Sequence, residues 1–301
     1  MPRETRSGHG HRWLSAALAV AVAVALAMPA GLVAEEVRPA LMTGMADGEL
    51  SRLRPDAALW LELDTGERAL GLFHPEQEVP AQGALVVLAD VGENAASEAA
   101  DGLARQLAKR GWASLVLGLP APDRALQQSL EAPAEKEPAA EAGATADSSV
   151  MIDVMASPEA ESPEQRYRAR VLETLELAVT ELSGRGYQRP ALVGIGRASN
   201  HLVAASQAVP DAQALIWVAP EFYPQDAVTL ANQLTAQSEL AILELYSARN
   251  GGAADSRQRR AEALRAGFEG LDRQPVALQR PVSGHASGAL AGRIAAWLEN
   301  R

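Results

Sequence analysis

From residue 83 onward the chain alternates short apolar runs with amphipathic stretches, and few architectures accept that pattern. "GALVVLAD" is a continuous apolar run of strand length, followed by "ASEAADGLARQLAKRG" at helical spacing. "WASLVLGLP" reads as a second buried strand, and the amphipathic "YRARVLETLELAVTELSGRG" leads to a third, "RPALVGIG". The series continues through "ASNHLVAASQAV", "ALIWVAPE", "DAVTLANQLTAQS", "LAILELYS", "SRQRRAEALRAGFEG" and "PVALQRP", and closes on "SGALAGRIAAWLEN". A strand apolar on both faces must be covered on both, so the pattern predicts an α/β chain: a mostly parallel sheet between helices. Ahead of it, "AALWLELDTGERALGLFHPE" alternates around Asp64-Thr65-Gly66-Glu67, as a β-hairpin does. The expectation is one large domain over residues 57–301, a mixed sheet of about eight strands with about six helices and an antiparallel N-terminal hairpin.

Two stretches stand outside the pattern. In residues 1–34, Arg3, Arg6 and Arg12 precede an uncharged run from Trp13 to Ala34 that is broken by Pro29 and Gly31 and ends in "LVA" before Glu35. This is the layout of a secretory signal peptide, with a retained membrane anchor as its rival because the run is as long as a spanning helix. Cleavage would remove three Arg and one Glu, taking the net charge from -11 to -13. The mature chain is then expected to be exported, periplasmic in a cell with two membranes, and without stable membrane insertion. A lead-in with one short helix is expected over residues 35–56.

The second stretch, residues 121–165, is rich in Ala, Glu and Pro. Such low hydrophobicity does not offset the entropy of ordering, so most of it is expected to be disordered, with "SSVMIDVM" the one candidate for packing. It follows the second buried strand, where ligand-facing loops emerge, and reads as a lid or, more simply, as a solvated insertion.

Composition excludes several functions. With a net charge of -11 and a pI near 5.0, the surface offers no positive field for nucleic acid or anionic lipid. No cysteine is present, which removes disulfides, thiolate metal sites and cysteine nucleophiles. Five histidines without a His-x-x-His pair point to no metal site, and no cofactor is expected.

The stretch "RPALVGIGRASNHLVAAS" is a strand, a sharp turn and a helix, the setting of the G-x-S-x-G nucleophile elbow. Gly194 and Ala198 supply the small outer positions, but the central position is Gly196, which brings no hydroxyl. With this order of elements the chain resembles the α/β-hydrolase fold over nearly all of residues 57–301. More narrowly it resembles an uncharacterised bacterial family, domain of unknown function 3530. That resemblance rests on the hairpin with its Trp, "ALVVLAD" running into a Gly-containing loop, "GWASLVLGLP", "LVGIGRAS" and "RIAAWLENR". It implies no established activity.

The hydrolase resemblance implies a triad acid after the seventh strand and a histidine after the last. "LAILELYSARNGG" places Asn250 at the acid's position, and "RPVSGHASG" supplies His285. Gly196, Asn250 and His285 thus mark vestigial triad positions. An amide does not stabilise an imidazolium as a carboxylate does. The loop "ADVGENAASE" occupies the oxyanion position, where amides near Val91 and Gly92 and the helix N-terminus at Arg197 could form an anion-friendly pocket.

The reading favoured is a non-catalytic binding or scaffolding protein of the cell envelope, acting on a small molecule or an envelope protein, in which Gly196 opens space for a ligand group. One alternative is an esterase or other acyl hydrolase that uses Ser199 with His285. A third takes "GIGRAS" as a variant dinucleotide fingerprint with Glu221 on the ribose. His201 is expected on the helix surface and His74 at a strand end, with Glu244 and Asp255 as solvated or capping carboxylates.

Overall fold

The computed structural model describes residues 44–134, 161–209, 212–237, 239–249 and 251–301. The expected signal segment, residues 135–160 of the acidic insertion (with "SSVMIDVM") and Asn250 lie outside the described residues.

Eight strands form one sheet: β1 (Ala58–Glu62), β2 (Arg68–His74), β3 (Gly83–Val91), β4 (Trp112–Leu119), β5 (Ala191–Ile195), β6 (Leu215–Val218), β7 (Ile242–Ser247) and β8 (Leu271–Val276). Their spatial order is β1-β2-β4-β3-β5-β6-β7-β8. The β1/β2 and β2/β4 pairs are antiparallel and the others parallel, so the mixed sheet and N-terminal hairpin read from the sequence are present. Gly66, at φ +79°, turns the hairpin.

The helices are α1 (Gly44–Leu53), α2 (Glu98–Ala108), α3 (Arg124–Leu130), α4 (Pro163–Gly184), α5 (Ala198–Ala208), α6 (Pro224–Thr235), α7 (Gly252–Arg265) and α8 (Ser287–Leu298). None of the described helices is long and apolar enough to cross a membrane. In β3 the side chains divide by the two-residue strand period. Leu85, Val87 and Ala89 pack with α2 and α8, while Ala84, Val86 and Leu88 pack with α4 and α5. This two-sided burial is why the strand reads as an unbroken apolar run.

The acidic insertion is more ordered at its ends than expected. Asp123 caps α3 by accepting from the Leu126 amide at 2.9 Å, and Leu126 and Leu130, four residues apart, are buried with Tyr223 and against Tyr167. At the other end Ser162 and Gln165 form a capping box that starts α4. Two leucines on one helical turn and two caps are enough to order these flanks, despite the composition of the segment between them.

From β3 the chain crosses to β4 on one side, then returns across β3 to β5 on the other. The loops after β3 and β5 therefore leave in opposite directions, and the crevice between them is the switch point where open α/β sheets bind ligands.

Candidate functional site

Two turns meet at this crevice. Near the end of β5, Gly194 lies under the first turn of α5. A Cβ on Gly194 would stand 2.7 Å from the Ser199 nitrogen, so only glycine allows strand and helix this close. Gly196 has φ +57°, and its amide donates to the Val218 carbonyl at 2.9 Å while its carbonyl accepts from the Glu221 amide at 3.0 Å. The elbow is thus built and anchored with no side chain at its apex.

The space at the apex is taken from the other turn. Asp90, near the end of β3, directs its carboxylate to Gly196; a Cβ there would stand 2.2 Å from Asp90 Oδ2. Asp90 Oδ1 accepts from the Arg197 amide at 2.9 Å and from the Val91 amide at 2.8 Å. In the hydrolase elbow, the amide after the nucleophile and one from the loop after β3 form the oxyanion hole. Here the amides of Val91 and Arg197 converge on one acceptor, a side chain of the same protein. The Gly92 amide is used elsewhere, donating to the Leu119 carbonyl at 2.8 Å. Gly196 therefore does not open space for a ligand group: Asp90 occupies it.

Burial raises the Asp90 carboxyl above its ordinary range, opposed by the Arg197 and Val91 amides and reinforced by the negative charge of Glu221. Burial likewise raises Glu93, with the Asp90 charge adding to it, and Glu93 Oε2 is buried without a partner. Arg197 stacks its guanidinium over Tyr223, 4.7 Å from the ring centroid.

The remaining expected residues each have a place of their own. Ser199 is fully buried and its Oγ donates to the Gly194 carbonyl at 2.9 Å, a bond that pins helix to strand and leaves no hydroxyl for a substrate. His285 stands exposed in a single 3₁₀ turn, Gly284–Ala286, ahead of α8. Contrary to expectation, His201 is buried, edge-on to the rings of Tyr167 and Tyr223, with Nε2 unpartnered. Burial, with the nearby Arg168 charge, lowers its pKa to about 4. Glu244 is not solvated: it points into the sheet face under α7, fully buried, and pairs with Arg259. Asp255 is exposed on α7, and His74 ends β2 in contact with Asp101. No group of three or more His, Asp or Glu able to hold a metal occurs among the described residues.

Asp90 is the site residue the sequence did not single out. A lone aspartate at a strand end reads as a cap, and its partner lies 107 positions away.

The strand order, the elbow and the paired amides define an α/β-hydrolase-fold protein. Within that class, the chain belongs to the family described as "Protein of unknown function (DUF3530)", whose pattern matches residues 16–299. Solved structures agree on the fold. The esterase domain of a Rhodothermus marinus protein aligns at 12% identity and TM-score 0.52, covering 80% of this chain and 96% of that one. Est1E from Butyrivibrio proteoclasticus with ferulic acid bound aligns at 8% identity and TM-score 0.54, covering 81% and 98%. A Pyrococcus furiosus esterase aligns at 6% identity and TM-score 0.53, covering 81% and 90%. No curated protein matches the chain.

Proposed function

We propose that this chain is an exported α/β-hydrolase-like protein of the cell envelope that binds a small molecule or a protein partner and does not carry out serine hydrolysis. The observation that carries this reading is the Asp90 carboxylate. It takes both amides that would stabilise a tetrahedral oxyanion, and it fills the volume where a nucleophile on residue 196 would begin. Acyl transfer needs those donors empty and aimed at the developing charge. A carboxylate already in place competes with that charge and repels it.

The reading is tested by treating the mature protein with a fluorophosphonate probe and mapping any adduct by mass spectrometry, beside a Ser199→Ala control. No adduct over long incubation is expected. Stoichiometric labelling of one serine that heat denaturation abolishes would overturn the non-catalytic reading. Export is tested separately by fractionation and N-terminal sequencing. A mature chain beginning at Glu35 in the envelope fraction is expected, and an intact N-terminus in the cytoplasm would refute it.

A further inference from the structure

Trp217 of β6 and Glu244 of β7 are partners in register, so their side chains leave the same face of the sheet from strands about 4.8 Å apart. Both are fully buried, and Arg259 of α7 reaches in to pair with Glu244. Phe222 holds the group together: its ring centroid lies 5.2 Å from that of Trp217 and 5.7 Å from the Arg259 guanidinium carbon.

Three buried polar atoms of this cluster have no hydrogen-bond partner among the described residues: Trp217 Nε1, Arg259 Nε and Glu244 Oε2. Two are donors and one is an acceptor, yet they do not meet. The Nε–H and one Nη2–H of a guanidinium point the same way, and a carboxylate that faces them squarely takes both bonds. Glu244 takes one, from Arg259 Nη2 to Oε1. Its second oxygen and the Nε–H are left unjoined.

Trp217 and Arg259 also line a cavity of about 10 Å³, walled by Leu230, Leu234, Ala263 and Leu271. That is about the space one water molecule needs. The cavity shares Leu230, Arg259 and Glu262 with an open cleft of about 500 Å³ between α6 and α7, which gives solvent a way in.

We infer that the cavity binds a single water molecule, which accepts from Trp217 Nε1 and Arg259 Nε and donates to Glu244 Oε2. Charge and size select this occupant. An anion would accept from both nitrogens but meet the unpaired Glu244 oxygen. A cation would suit that oxygen but face two donors and the guanidinium charge. A neutral hydroxyl donates once and accepts twice, and a larger alcohol does not fit the space. Three bonds are the usual number for a buried water, and buried polar atoms are rarely left without a partner. The water supplies the second half of the Arg259–Glu244 pair, which a buried carboxylate needs if its attraction is to offset its desolvation. This site lies under the sheet face of β6 and β7, and it does not rest on the binding role proposed above.

Two measurements on the wild-type protein test the site. A high-resolution crystal structure should show one water within about 2.7–3.2 Å of all three atoms. Direct closure of Arg259 Nε onto Glu244 Oε2, or no density between the three atoms, would overturn the inference. In solution, the Trp217 indole N–H should give water cross-peaks of opposite sign in NOE and ROE spectra, as a long-lived bound water does; their absence would count against the site equally. Ala263→Val, which narrows the cavity, should abolish these cross-peaks and lower the urea midpoint, because three polar atoms lose their partner. Unchanged cross-peaks would put the water elsewhere, and a raised midpoint would show a dry cavity filled to advantage. Should the variant not fold, the wild-type density and spectra decide alone.

Discussion

The carboxylate of Asp90 and a side chain on Gly196 exclude each other, because a Cβ on Gly196 would lie 2.2 Å from Asp90 Oδ2. The bare apex of the elbow thus goes together with a carboxylate on the neighbouring strand. The carboxylate also satisfies two amides that the crevice would otherwise leave to water.

This coupling is measurable. Gly196→Ser should destabilise the fold by about 1–3 kcal/mol through the clash and the positive φ. Asp90→Ala removes the clashing group, so the double variant should be more stable than the sum of the single effects by about 1 kcal/mol or more. Urea unfolding of the four proteins decides it; strict additivity would mean that the two residues do not compete for space.

Asp90 also makes stability depend on pH. Its carboxyl is raised by burial, so the folded chain holds the proton more tightly than the unfolded chain does. Stability should therefore fall as pH rises from 3.8 through the raised value. Asp90→Asn keeps an oxygen for the amides and has no proton to lose. Relative to that variant, the wild type should lose stability on going from acid to neutral pH, as read by denaturant midpoints across the range.

His201 acts in the opposite direction. Its pKa of about 4 lies below its ordinary 6.5, so between these values the unfolded chain takes up a proton that the folded chain refuses. Stability should fall as pH drops through that window, by about 3 kcal/mol in total. A His201→Phe variant should show a flatter acid limb. An NMR titration placing the His201 ring near its ordinary value would contradict the prediction.

Asp101 joins three elements. Its buried carboxylate meets His74 of β2 at 2.8 Å, Arg105 of its own helix α2 at 2.9 Å and Arg54, just after α1, at 3.3 Å. Burial alone would raise its pKa, but the His74 bond and the charges of Arg105 and Arg54 hold it below 3.8. The stability it supplies is present above 3.8 and lost as pH falls through the lowered value. Asp101→Asn should cost about 2–3 kcal/mol, less than for a fully enclosed pair because Arg54 and Arg105 are partly in water. It should also speed proteolysis at Arg54, since α1 loses its ionic tether. Unchanged cleavage would show that apolar contacts alone hold α1.

The sequence by itself determined the class of fold, because two-sided burial leaves a largely apolar run in central strands such as β3 and β5 and a one-sided stripe in covering helices such as α2. It also determined the elbow: Gly194 and Ala198 are small because backbone meets backbone there, and that requirement shows in residue type alone. Several features were decided only in three dimensions. His201 and Glu244 are buried among side chains from other elements, and α3 is ordered because Tyr167 and Tyr223 wait for its two leucines. Asp90 meets the Arg197 amide because β3 and β5, far apart in the chain, are neighbours in register, with Leu88 opposite Gly194. Periodicity records which face of its own element a residue occupies. What that face meets is set by strand order and register, which no local pattern carries.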